Sequence, residues 1–202
     1  MIGVMGSYAY PSADLGEPQD CYLHGYISSE LMKQARSSPE KGLPLTIAAT
    51  KMDGIVLSLT PNSHSYNYRS AILFGYGRPV EDHDEKIWAM NLVTESVIAG
   101  RWKETRTPPD NAELGSTAIL KVQVVSGSGK IRRGLPHDEK KDTERVDVTS
   151  RVWTGVVPMW EMVGEPVPGG SGSVNVVPDH ITEFREQTNS ANMTYAKEAA
   201  NS

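Results

Sequence analysis

The sequence predicts an α+β fold in which an antiparallel sheet of six or seven strands closes into a small barrel with two or three helices outside. Three observations carry that expectation. Runs rich in Val, Ile, Thr and Tyr recur along the chain and mostly pair as neighbours joined by short turns. Helical spacing of apolar residues is confined to a few segments, the clearest after Asp82. Eighteen glycines and thirteen prolines interrupt the chain and keep its elements short.

The elements follow in order. Ile2 to Tyr10 is apolar and small, and reads as a strand. After the turn-rich loop Pro11 to Pro18, Cys21 to His24 reads as its hairpin partner. Ser28 or Ser29 is placed to cap a short helix ending near Arg36, because a hydroxyl there accepts from amides that the first turn leaves unpaired. Pro44 to Met52 and Ile55 to Thr60 are β-rich, and the Asp53-Gly54 dipeptide between them predicts a hairpin turn. Tyr68 to Val80 is strand-like, with Gly75 and Gly77 marking a bulge or a close backbone approach. Asp82, three residues before Glu85, opens a helix whose apolar face is Ile87, Met90, Val93 and Val97. Thr117 to Val125 alternates, with Ala118, Leu120, Val122 and Val124 on one side. Ser126 to Ser150 reads as a long polar loop and Val152 to Met159 as a last strand. Gly164 to Ser173 reads as a linker, Asp179 to about Gln187 as a short helix, and the remainder as a mobile tail. The barrel domain is thus expected over 1–168, with 169–202 as an appendage.

Composition narrows the function classes. Of 202 residues, 38% are hydrophobic and 22% charged, which suits a folded domain and not a disordered chain. Twenty basic against twenty-five acidic residues give a net charge of −5, the wrong sign for a protein that grips nucleic acid through phosphates. Cys21 is the single cysteine, so no internal disulfide forms and a reducing compartment is expected. No apolar run approaches the roughly 20 residues that span a bilayer, and Met1 to Tyr10 lacks the pattern of a signal peptide. These features point to the cytoplasm.

Three polar clusters stand out. Ser63 to Ser70 holds His64, Asn67, Arg69 and three serines where a loop enters a strand; the arginine fork and hydroxyls suit an anion, although such a loop can equally satisfy its own backbone. His24 to Ser29 places a glycine and two serines before a helix start. That arrangement is either a phosphate seat or an ordinary strand-to-helix turn. Lys130, Arg132 and Arg133 form the basic cluster, with Asp138, Glu139 and Asp142 near enough in sequence to neutralise it. Ser126 to Lys130 is not a phosphate loop, because Val124 stands where glycine is required and Ile131 follows the lysine. No G-x-S-x-G elbow is present, and Asp82-His83-Asp84 reads as helix capping, so no metal is expected.

These stretches resemble the pyridoxamine 5′-phosphate oxidase-like flavoproteins, and more narrowly their nitroimidazole-resistance-type, flavin-nucleotide-binding branch. The resemblance lies in Tyr22-Leu23-His24-Gly25, His64 to Ser70, Phe74-Gly75, Val80-Glu81-Asp82 with Glu85-Lys86, Gly100-Arg101-Trp102, Lys130-Ile131-Arg132 with Gly134, and Val152 to Val156 with Pro158. It implies an antiparallel six-stranded split β-barrel with flanking helices, a homodimer, and FMN at the subunit interface. In that mapping Ser28, Ser29, Asn67, Arg69 and Ser70 hold the flavin, Lys130 and Arg132 stand at the mouth of the site, and His24 and His64 lie by the ring or the substrate.

The activity so implied is an FMN-dependent oxidoreductase acting on a small organic substrate: a vitamin B6 compound, a nitroaromatic or a secondary-metabolite intermediate. A non-catalytic flavin or haem carrier or sensor on the same barrel is the alternative, as is a cofactor-free interaction module, and a deazaflavin could replace FMN. Two departures bear on this choice. Glu30 stands where the family pattern has a basic residue. The match also begins at the family's second strand, so that either a covering tail or partner, or a shortened gene, accounts for the leading helix and strand.

Overall fold

The computed structural model describes residues 1–14, 16–17, 19–38, 40–170, 174 and 176–201. It is α+β. Six strands form an antiparallel sheet in the order β1-β2-β5-β4-β3-β6, flanked by helices, as expected for the split-barrel class. The strands are β1 (Ile2–Gly6), β2 (Asp20–Tyr26), β3 (Leu43–Leu57), β4 (Ser65–Pro79), β5 (Thr117–Arg132) and β6 (Gly155–Pro158). The helices are α1 (Glu30–Arg36), α2 (His83–Val97), α3 (Asn111–Ser116), α4 (Lys140–Thr143), α5 (Val146–Thr149) and α6 (Asp179–Ala200). The chain divides into two compact units, Met1–Ile47 with Ile72–Gly127, and Ala48–Ala71 with Ser128–Ser202.

In the first unit β1 and β2 form the expected hairpin, with Ile2 opposite His24 and Gly6 opposite Asp20. β2 pairs in turn with β5, Leu23 opposite Leu120. Successive residues of a strand face opposite sides, and β5 uses both. Leu120 and Val122 join Cys21, Leu23, Met32 and Ala35 in one buried cluster, with Ala118 and Val124 packed against it, as the alternation predicts. Ile119, on the other side, packs with Tyr22, Val80 and Ala89. Trp88 completes that second cluster edge-on to Tyr22, at 5.1 Å between ring centroids.

α2 begins as predicted, with the Asp82 carboxylate accepting from the Glu85 amide at 2.7 Å. Its buried face matches the expected one at Val93, with Met90 packed against the second cluster, but it takes in Ala89, Trp88 and Leu92 and leaves Val97 exposed.

Two expectations from turn signals are corrected. Asp53-Gly54 is no turn; β3 runs unbroken through it. Asp53 is buried and ion-paired to Arg69, and Gly54 lets β6 approach, since a Cβ there would stand 2.9 Å from Val156 Cγ1. The stretch 126–150 is not one long loop either: β5 continues to Arg132, and α4 and α5 follow. A third correction concerns the C-terminal segment. The helix expected to end near Gln187 continues to Ala200, with Ala196, Ala199 and Ala200 buried. Of the expected linker, 171–173 lie outside the described residues.

The expected close approach at Gly75 is present, since a Cβ there would collide with the Gln123 carbonyl oxygen of β5. Backbone cannot step aside as a flexible side chain can. Gly75→Ala should therefore lower stability by about 1–3 kcal/mol, read as a lower urea midpoint. Gly115→Ala in α3, where the added methyl meets open space, should leave the midpoint unchanged or raise it.

Candidate functional site

The polar cluster read from Ser63 to Ser70 lies in the second unit and is organised by β4. Asn67 and Arg69 are two apart and share a face. Asn67 is wholly buried, so each polar atom of its amide needs a partner. Its Nδ2 donates to the Gly134 carbonyl at 3.2 Å and to the Ala199 carbonyl at 3.1 Å, and its Oδ1 accepts from Arg132 Nη1. The Gly134 amide also donates to Ala199 O, at 2.7 Å. The end of β5, the loop beyond it and the last turn of α6 therefore meet on one side chain.

Arg69 makes a two-pronged pair with Asp53, Nε to Oδ2 at 3.0 Å and Nη2 to Oδ1 at 2.7 Å. The Asp53 side chain is only 5% exposed and that of Arg69 34%. Hydrogen bonding to Asp53, the largest effect, raises the Arg69 pKa above its ordinary value and keeps the guanidinium charged. The Tyr195 ring of α6 lies against this guanidinium, 3.6 Å from Cζ to centroid, and Arg133 stands 4.6 Å from the same centroid. Both Nε and Nη2 of Arg133 also donate to the Tyr195 hydroxyl. Ser70 Oγ reaches the Lys130 carbonyl at 3.5 Å, and Lys130 Nζ stands 5.9 Å from the Tyr68 ring centre. His64 accepts the Ser58 amide on Nδ1 at 3.0 Å, which leaves its ring hydrogen on Nε2. The structure thus brings Asn67 and Arg132 into contact and sets Arg69 under α6, while His64 turns to its own loop.

His24, Ser28 and Ser29 belong to the first unit. His24 is half-buried on β2, and burial, then the positive charge of the chain's amino terminus, pushes its pKa down. Ser29 occupies the N-cap position of α1, but its side chain makes no capping bond. Its Oγ is buried with no hydrogen-bond partner among the described residues. Glu30 turns along its own helix, accepting from Gln34 Nε2 at 3.1 Å. A cavity of about 500 Å³ in this unit, lined by Tyr10, Glu17, Gln19, Asp20 and Gln123 among others, contains none of the predicted site residues, and its carboxylates disfavour a phosphate.

Sequence reasoning missed Asp53 and Tyr195 in the second unit. It also missed a network in the first, where Tyr22 Oη donates to Glu85 Oε1 at 2.7 Å and Lys121 Nζ donates to the same oxygen at 2.9 Å. Burial, then the Glu85 contact, raises the Tyr22 pKa far above its ordinary value, so the phenol stays neutral and donates. Among the described residues no group of three or more His, Cys, Asp or Glu side chains is arranged to hold a metal, and no helix is long and apolar enough to cross a membrane.

Two expectations follow. Asp53→Ala removes both acceptors of Arg69 and should cost about 2 kcal/mol of stability in urea unfolding, because bonds to a charged group are lost while the half-exposed guanidinium rehydrates. His24 has a folded pKa below the unfolded value of 6.5, so the unfolded chain takes up the proton first. Stability should be full above about pH 6.5 and decline as pH falls below it; His24→Gln should flatten that decline in a pH series of thermal melts.

Comparison with known proteins places this geometry in a family. The family model for pyridoxamine 5′-phosphate oxidase matches residues 6–131, from the end of β1 to near the end of β5. No curated protein matches the sequence. The structure is similar to the flavocytochrome Anf3 from Azotobacter vinelandii, with a TM-score of 0.70 and 23% identity over 91% of this chain and 84% of that one. It is also similar to an FAD and heme binding protein from Mycobacterium smegmatis, with a TM-score of 0.73 and 23% identity over 91% of this chain and 88% of that one. At these identities the two structures establish a shared fold, and the family match over most of the chain adds that this protein belongs to the pyridoxamine 5′-phosphate oxidase family.

Proposed function

We propose that the protein binds FMN and acts, as a homodimer, as an oxidoreductase on a small organic molecule. The observation that carries this reading is the family match over residues 6–131, which takes in His24, Ser28, Ser29, Asn67, Arg69, Ser70 and Lys130. The donors suit a phosphate. Ser29 Oγ is buried and unsatisfied, Arg69 Nη1 has no protein acceptor among the described residues, and Lys130 makes no ion pair among them. On this reading Arg69, Ser70, Lys130 and Arg132 grip the anionic tail, with Asn67 positioning Arg132; Ser28 and Ser29, in the first unit, are assigned to flavin binding by the family resemblance alone. His24, with its pKa pushed down, is uncharged at neutral pH and is assigned the role of accepting a substrate proton; His64, with its hydrogen on Nε2, is assigned a donor role. A bound flavin supplies the electron-accepting chemistry.

A non-catalytic flavin or haem carrier or sensor is the second reading. Two observations favour it: Arg69 is already satisfied on one edge by Asp53, and both structural neighbours are named for bound haem or as a flavocytochrome. Turnover separates the readings, since bound flavin that no nicotinamide donor or candidate substrate reduces supports carriage.

Purified protein should absorb near 450 nm and release FMN on denaturation. Removing Arg69 alone would strand the buried Asp53 carboxylate, so the informative variant is Arg69→Ala combined with Asp53→Asn. It should weaken FMN binding about tenfold or more, the order of one charge-assisted hydrogen bond. Unchanged FMN content in that folded variant would overturn the assignment of Arg69.

A further inference from the structure

The end of α6 reproduces what an anion would offer the arginine corner of the second unit. The last carbonyls of a helix carry about half a negative charge. Here the Ala199 carbonyl accepts from Asn67 Nδ2 and from the Gly134 amide, the two neutral donors of that corner. One turn earlier the Tyr195 ring lies on Arg69, and its hydroxyl accepts from Nε and Nη2 of Arg133. Glu198, on the same groove-lining side as Tyr195, brings a further carboxylate with the helix. Asp53 pairs with Arg69 on one edge, and three guanidiniums, those of Arg69, Arg132 and Arg133, gather at this corner.

We infer that the C-terminal turns of α6 are a plug for the phosphate seat: Tyr195 docked between Arg69 and Arg133, and a phosphate bound to those guanidiniums, exclude one another. The inference rests on the proposed reading of Arg69 as an anion anchor and adds its regulation. Energies permit the exchange. A cation against a partly exposed aromatic ring is a weak contact, whereas a charge-assisted bond to phosphate is roughly twice as strong as a neutral one. Linkage makes the effect reciprocal, so phosphate must loosen the helix end by the factor with which the helix end weakens phosphate binding.

Inorganic phosphate is the probe, titrated calorimetrically at fixed ionic strength into the full chain and into Tyr195→Ala and Tyr195→Leu. The expected result is at least fivefold tighter binding to both variants. Hydrogen exchange of the wild-type segment from Tyr195 to Asn201 should also quicken as phosphate replaces chloride. Equal or weaker binding to the variants, or exchange that slows with phosphate, overturns the plug. FMN uptake separates the two ideas. Protein that takes up FMN while phosphate affinity ignores Tyr195 loses the plug alone, whereas protein that binds neither phosphate nor FMN loses the anion seat as well.

Discussion

One buried amide organises the second unit. Asn67 is wholly enclosed, and a carboxamide there is costly unless both its ends are paired. It is paired by three segments distant in sequence: Arg132 at the end of β5, Gly134 beyond it, and Ala199 at the end of α6. The positions of the arginines follow from that requirement. Arg132 is oriented by Asn67 itself, Arg69 two residues along by the buried Asp53, and Arg133 by the tyrosine that the anchored helix delivers. A cluster of like charges persists because each member has a separate acceptor.

The first unit is built on a different constraint. β5 is apolar on both faces, Leu120 and Val122 on one and Ile119 on the other, so layers must cover both sides. The α1 segment, through Met32 and Ala35, covers one, and α2 the other. Where α2 meets the sheet, the Tyr22 hydroxyl and Lys121 share the Glu85 carboxylate, satisfying polar groups at the margin of an apolar layer. Such a network favours one register of helix on sheet over its slipped alternatives.

Much of this was legible in the sequence where the signal was local. The β1–β2 hairpin, the Asp82 cap and the alternation of Ala118, Leu120, Val122 and Val124 are short-range patterns and emerge as read. Asp53-Gly54 carries a turn signal just as strong, yet serves two long-range demands, a partner for Arg69 and room for β6. α6 was cut short because its buried face is built from Ala196, Ala199 and Ala200, whose spacing is helical but whose side chains are too small to register as a hydrophobic stripe. Tyr195 was missed with it. The candidate anion residues were visible as residue types, whereas their present partners, Asp53 and the helix end, lie 16 and 132 positions away from the residues they meet.

The central claim is that the arginine corner holds the phosphate of FMN. The phosphorus magnetic resonance of FMN added to the protein, followed from pH 8 to pH 5, tests it most directly. A phosphate monoester loses its second proton near pH 6 in water, and guanidiniums around it must favour the doubly charged form. The account predicts a shifted resonance whose titration is moved well below that of free FMN. A bound resonance that titrates as the free nucleotide does, or no bound resonance at all, contradicts it.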